Sequence, residues 1–190
     1  MNRGTRRRLW TWVPIFVVFG VVWVVLSLPS VQEHLQAYLI VRSVPPLQET
    51  APPEEPPLPE SMAFHLMDGN VVTGESLRGT PAVISVFTTG CPPCVAEVAM
   101  LERLRSSVGQ DAKVLLVALD KPQTLNNWLE GRDSDRAAFA TVDRILPPLT
   151  TKAIPMTVLL DAQGNVNRKL TGAWKWDDPS VVEHIKALAR

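Results

Sequence analysis

Phe87-Thr88-Thr89-Gly90-Cys91-Pro92-Pro93-Cys94 is the stretch that decides the fold. It holds both cysteines of the 190-residue chain, three positions apart. An apolar run from Pro81 to Phe87 precedes it, and a helical pattern from Val95 to Val108 follows it. That order predicts a strand, a tight turn and a helix, with Cys91 at the helix start. There the sulfur faces unpaired backbone N–H groups and the positive end of the helix dipole, which favour its thiolate. A thiolate is the species that attacks disulfides. A lone Cys-x-x-Cys beside a βα pattern reads as a redox motif or as half of a metal site.

The rest of the composition narrows the setting. Formal net charge is zero, so no bulk field points to nucleic acid. Two cysteines are too few for a disulfide-built scaffold. His34, His65 and His184 are scattered without ligand spacing, so no metal is assigned to them. Residues 1–8 form a basic tail with Arg3, Arg6, Arg7 and Arg8. The apolar run 9–28 that follows is long enough, at ~1.5 Å per residue, to cross about 30 Å of hydrocarbon. Arginines hold that end in the cytoplasm, which predicts an uncleaved signal-anchor with the rest of the chain outside the cytoplasm; a cleaved signal peptide is the rival reading. Residues 29–42 read as an amphipathic stalk helix. It opens on a Ser30/Glu33 capping pattern and carries Val31, Leu35, Tyr38 and Leu39 at helical spacing. Seven of the 17 prolines fall between Pro45 and Pro59, so 43–61 reads as a semi-rigid, polyproline-like spacer.

A globular domain is expected over 62–190. Ala63 to Met67 and Val71 to Val72 flank Asp68-Gly69-Asn70, a hairpin signal. Further strands are predicted over Ala82 to Thr88, Val114 to Leu119, Ala138 to Val142, Met156 to Leu160 and Val166 to Leu170. Helices are predicted over Cys91 to Ser107, Gln123 to Leu129 and Asp178 to Arg190. Val95, Val98, Leu101, Leu104 and Val108 form the apolar face of the first, and Gly109 ends it. Strands alternating with helices and closing on a hairpin give an α/β fold: a mixed sheet covered on both faces.

This ordered set resembles the thioredoxin fold, and more narrowly the membrane-anchored TlpA/ResA/CcmG branch of thioredoxin-like proteins. The resemblance covers Ala63 to Arg190. It rests on the N-terminal hairpin with Asp68-Gly69, on Leu77-Arg78-Gly79-Thr80-Pro81, and on Cys91-Pro92-Pro93-Cys94 followed by Glu97. Ile154-Pro155-Met156-Thr157 leading into Asp161-Ala162-Gln163-Gly164, and then Gly172, complete it. The 61 positions between Cys94 and Pro155 leave room for the extra βα unit of that branch. Two positions depart from the family pattern. Gly90 stands where Trp often precedes the first Cys, and Ser85 where a buried Asp or Asn is common.

The resemblance implies roles. Cys91 would be the nucleophile and Cys94 the resolving cysteine. Glu97, one turn past Cys94, would exchange a proton with it once burial raises its pKa. Pro155 would be cis, letting the backbone of Ile154 pair with an extended substrate. Gly172, with Trp174 and Trp176 flanking Lys175 beyond it, would border the substrate groove; core packing reads equally well for both tryptophans. Pro92 and Pro93 matter through the N–H groups they lack: fewer donors reach the Cys91 thiolate, which favours a reductant.

The activity implied is a thiol:disulfide oxidoreductase with no cofactor beyond the Cys91–Cys94 redox pair. Held in a bacterial inner membrane with its C-terminal domain in the periplasm, it would reduce disulfides in extracytoplasmic partners, during cytochrome c maturation or metal-site assembly, and draw electrons from a DsbD- or CcdA-like membrane donor; the reverse direction, an oxidase or isomerase, stays open. A Cu(I)-binding thiolate module and a non-catalytic thioredoxin-like scaffold are the alternatives from other classes.

Overall fold

Residues 17–20, 23–24, 31 and 53–188 are described by a computed structural model of the chain. The basic tail and most of the anchor, stalk and spacer expected from the sequence lie outside the described residues. Among the described residues no helix is long and apolar enough to cross a membrane. Residues 17–20 and 23–24 are helical.

The domain is built on a seven-stranded mixed sheet. Its strands are β1 (Ala63–Leu66), β2 (Val71–Thr73), β3 (Ala82–Phe87), β4 (Lys113–Ala118), β5 (Phe139–Thr141), β6 (Met156–Leu160) and β7 (Val166–Thr171). Their order across the sheet is β2-β1-β5-β4-β3-β6-β7. β3, β4 and β5 run parallel, and the remaining pairings are antiparallel. The helices are α1 (Gly74–Leu77), α2 (Pro92–Val108), α3 (Pro122–Leu129) and α4 (Pro179–Ala187). This is the thioredoxin-like α/β arrangement.

β3 sits at the centre because its sequence, AVISVF, lets it. All six residues are buried, as a strand covered on both faces requires. Its odd-numbered apolar residues, Val83 and Phe87, join one core cluster, and Ile84 and Val86 join the other. The first cluster lies under Val98, Leu101 and Leu104 of α2, Leu125 and Leu129 of α3, and Val181 and Ile185 of α4.

The three longer helices thus share one of the two covered faces. Chain topology is the reason. β3 to β4 to β5 steps twice in the same direction, and right-handed crossovers then put both connecting helices on the same side. The opposite face is covered without a long helix. Leu77 of α1, Ile145, Leu146 and Leu149 from the β5–β6 connection, and the segment before β1 do that work.

The segment before β1 moves the domain boundary. The spacer expected over 43–61 ends inside the fold, because Leu58 is 2 % exposed and belongs to the second cluster. The Leu58 N–H donates to the Gly164 carbonyl at 3.1 Å, and Lys169 pairs with Glu55 at 2.7 Å. Gly74 permits the close approach, since a Cβ there would stand 2.1 Å from the Pro59 carbonyl oxygen. A proline-rich segment carries little entropy to lose, so one buried leucine, contributing roughly 1.5–3 kcal/mol, suffices to dock it.

Candidate active site

The site forms where β3 ends. The Leu119 N–H donates to the Phe87 carbonyl at 2.9 Å, extending the ladder one step. The chain then turns, and Thr89 fixes the turn. Its N–H and hydroxyl both donate to the Asp120 carboxylate, at 2.8 and 3.1 Å, across the gap to the end of β4. The Cys91 N–H donates to the Thr88 carbonyl at 3.2 Å.

Cys91 is the N-cap of α2, so the helix begins one residue later than its first cysteine. Pro92 and Pro93 occupy the first two helical positions, where a missing N–H costs nothing. They also leave Cys94 with the first helical N–H, and that group donates to Cys91 Sγ at 3.3 Å. One backbone donor reaches the sulfur, and the two preceding positions cannot supply another. Cys91 and Cys94 are disulfide-bonded, with Cα atoms 5.2 Å apart. The pair is asymmetric: Cys94 is 1 % exposed, whereas Cys91 is half-buried.

The β3–β6 register sets Val86 opposite Met156, and so carries Pro155 to the end of the sheet from which the Cys91 turn departs. The Ile154–Pro155 bond is cis. Ile154 is half-buried, packs against both clusters and takes no backbone partner among the described residues. The Pro155 carbonyl accepts from the Gly172 N–H at 2.8 Å. Gly172 has φ +92°, a conformation that L side chains rarely adopt. Past Gly172 the chain leaves β7 and turns back toward α2.

Glu97 is where it arrives. Its carboxylate is fully buried on α2, one turn beyond Cys94. Oε1 accepts from the Trp174 backbone N–H at 3.1 Å and from the Trp176 indole Nε1–H. Oε2 is buried without a partner among the described residues. Burial raises the Glu97 pKa from 4.5 to about 7, against the two hydrogen bonds, which lower it. Val95 is only half-buried, and Met100 joins Glu97 on the covered side of the helix.

The two tryptophans divide. Trp174 is half-buried at the rim, whereas Trp176 is fully buried in the core under α2. Trp176 therefore does not wall a groove; it carries a donor to Glu97. No local pattern signals that bond or the Thr89–Asp120 bridge, because both join residues far apart in the chain. Among the described residues, no group of three His, Cys, Asp or Glu side chains is arranged to hold a metal ion.

Comparison with known proteins agrees with this arrangement. The AhpC/TSA family model matches residues 57–181. A thiol:disulfide interchange protein of the thioredoxin family from Chlorobium tepidum TLS superposes with a TM-score of 0.53 at 19 % identity, covering 70 % of this chain and 99 % of that one. The pneumococcal exposed lipoprotein thioredoxin of Streptococcus pneumoniae strain TIGR4 gives 0.54 at 16 % identity, over 66 % and 97 %. BsSco, a member of the Sco family of cytochrome c oxidase assembly proteins with a disulfide switch, gives 0.51 at 16 % identity, over 74 % and 98 %. At these identities the likeness is one of fold.

Proposed function

This chain belongs to the AhpC/TSA family, and we propose that it works as a membrane-tethered reductase of disulfides in extracytoplasmic proteins. It is a thioredoxin-like oxidoreductase, with a Cys91–Cys94 disulfide at the start of α2. The observation that carries the finer reading is the asymmetry of that pair beside a buried carboxyl. One sulfur is reachable, the other is enclosed, and Glu97 lies one turn further in.

In the reduced protein, Cys91 thiolate attacks a substrate disulfide. A mixed disulfide forms, and one substrate sulfur leaves as a thiolate and takes a proton. Cys94 then gives its proton to Glu97 and attacks Cys91 Sγ. The Cys91–Cys94 bond forms, the mixed disulfide breaks, and the second substrate thiol departs with the proton relayed from Glu97. Two electrons pass from the cysteine pair to the substrate; one proton comes from Cys94 through Glu97 and the other from solvent. The partnerless Oε2 is the Glu97 atom open to the Cys94 proton. Ile154, its backbone groups unpaired beside cis-Pro155, offers an edge to an extended substrate segment. Gly172 and Trp174 border that edge.

Direction is inferred from the prolines. A single backbone N–H reaches Cys91 Sγ, so the thiolate is held weakly and the pair is the better electron donor. The tether is inferred from Arg3, Arg6, Arg7 and Arg8 beside the 9–28 run. Exposed Val17, Val18, Phe19, Trp23 and Val24 suit a lipid surround. A periplasmic reductase needs electrons from across the membrane, so a DsbD- or CcdA-like donor is part of the reading. Apocytochrome c or a copper-site protein is the class of substrate proposed, and the fold shared with BsSco is in keeping with it.

The test is the midpoint potential of Cys91–Cys94 in the full chain. A value below about −220 mV supports the reductase, and a value near about −120 mV makes the protein an oxidase. With a low potential, Cys94→Ser should trap substrate as a mixed disulfide on Cys91. Absence of any reversible couple would move the assignment to a Cu(I) site or a scaffold, which a copper titration of the reduced chain separates.

A further inference from the structure

The loop after β7 joins two parts of the site that the proposed chemistry uses separately. It starts at Gly172, bonded to the carbonyl of cis-Pro155, where a substrate strand would lie. It ends at Asp177, whose Oδ2 accepts from Arg103 Nε at 2.9 Å and forms an ion pair with Nη2 at 2.9 Å, further along α2. Between these anchors Trp174 and Trp176 both donate to one oxygen of Glu97. An indole buried to 0 % has its N–H directed by its packing, so Trp176 cannot easily turn away from the carboxylate.

We propose that Trp176 is a positioning residue for proton exchange: its indole N–H, with the Trp174 amide, holds Glu97 Oε1 so that Oε2 is free for Cys94. The inference rests on the role given to Glu97 above and adds the group that controls it. A hydrogen bond to the charged form favours that form, so the indole opposes the burial that drives Glu97 toward neutrality. Charges around Glu97 are engaged elsewhere. Arg103 pairs with Asp177, Lys175 with Asp178 at 3.7 Å, and Lys186 of α4 with Asp111. Arg168 of β7 donates to the Asn167 carbonyl at 2.9 Å, and Lys169 pairs with Glu55. Besides Arg168, the buried polar residues on the strands are Ser85 of β3, Thr141 of β5 and Thr157 of β6, and these carry no charge. The tryptophan loop is therefore the local control on Glu97.

The experiment follows the Trp176 indole N–H resonance and the alkylation rate of the reduced cysteines against pH, in the full chain. The expected result is a step near neutral pH with the same midpoint in both readouts, separate from the thiols' own ionisation and absent from both in Glu97→Gln. In Trp176→Phe, which keeps a ring but loses the donor, the thiol midpoint should rise by roughly one pH unit, cutting the ionised Glu97 fraction at pH 7 about five-fold. If that variant fails to fold, the indole titration in the unsubstituted chain decides. A flat indole signal, with a thiol midpoint that still vanishes in Glu97→Gln, overturns the Trp176 role and leaves Glu97 as the base. A thiol profile that Glu97→Gln leaves unmoved overturns both.

Discussion

Glu97 is the residue on which chemistry and stability meet. Folding takes its carboxyl from 4.5 to about 7, so the native state binds a proton that the unfolded chain has already released. The resulting stability is fully present below pH 4.5 and is lost as pH rises through 7. The shift corresponds to about 3 kcal/mol. Glu97→Gln keeps an acceptor for Trp174 and Trp176 and removes the titration. Denaturant melts should therefore show the wild-type chain losing about 3 kcal/mol relative to the variant between pH 4.5 and pH 8. Parallel pH curves for the two proteins would refute the assignment. At the same scale, Pro93 withholds an N–H from Cys91 Sγ. Pro93→His restores one and adds a second donor, so the midpoint potential should rise by some tens of millivolts. A potential that stays put would remove the prolines from the account of direction.

At the scale of elements, α2 presents the pair and α1 admits the segment that covers the opposite face. Cys91 caps α2 and Cys94 is enclosed by it, so the two cysteines are not interchangeable. Cys91→Ser should abolish insulin-disulfide reduction. Cys94→Ser should retain the first attack and accumulate a mixed disulfide visible on non-reducing gels. Equal behaviour of the two variants would contradict the exposure asymmetry. α1 begins at Gly74 against the Pro59 carbonyl. Gly74→Ala must push that backbone aside and loosen the docked segment. An unfolding cost of about 1–3 kcal/mol is expected, with proteolysis appearing first before Met62. A neutral Gly74→Ala would mean that the docked segment adds little.

For the whole molecule, the decisive feature is that the sheet's two faces are covered by unlike means. Three helices close the active-site face, and loops, α1 and residues 53–62 close the other. The second face therefore depends on single side chains from irregular segments. Leu58→Ala should cost about 2–4 kcal/mol in chemical denaturation, more than a spacer residue could. A cost under half a kilocalorie would place the domain start at Met62, as the proline pattern suggested.

Local pattern determined much of this protein. The β-branched run into Phe87, the Asp68-Gly69-Asn70 turn, the Cys91–Cys94 spacing at a helix start and the Ile154-Pro155 step before a strand each act within a few residues. Backbone preference and hydrophobic period therefore expose them. The family match over 57–181 adds the fold that their order implied. What stayed hidden spans the chain. Glu97 and Trp176 lie 79 positions apart, and Thr89 and Asp120 lie 31 apart. Neither pair has a periodic signal, because a single directional bond is fixed by where the sheet brings its partners. Leu58 looked like one apolar residue among prolines, and only the second face of the sheet made it core. Sequence set the elements and the reactive pair. Tertiary packing set the acidity of Glu97, since desolvation is a property of everything around a group and of no residue alone.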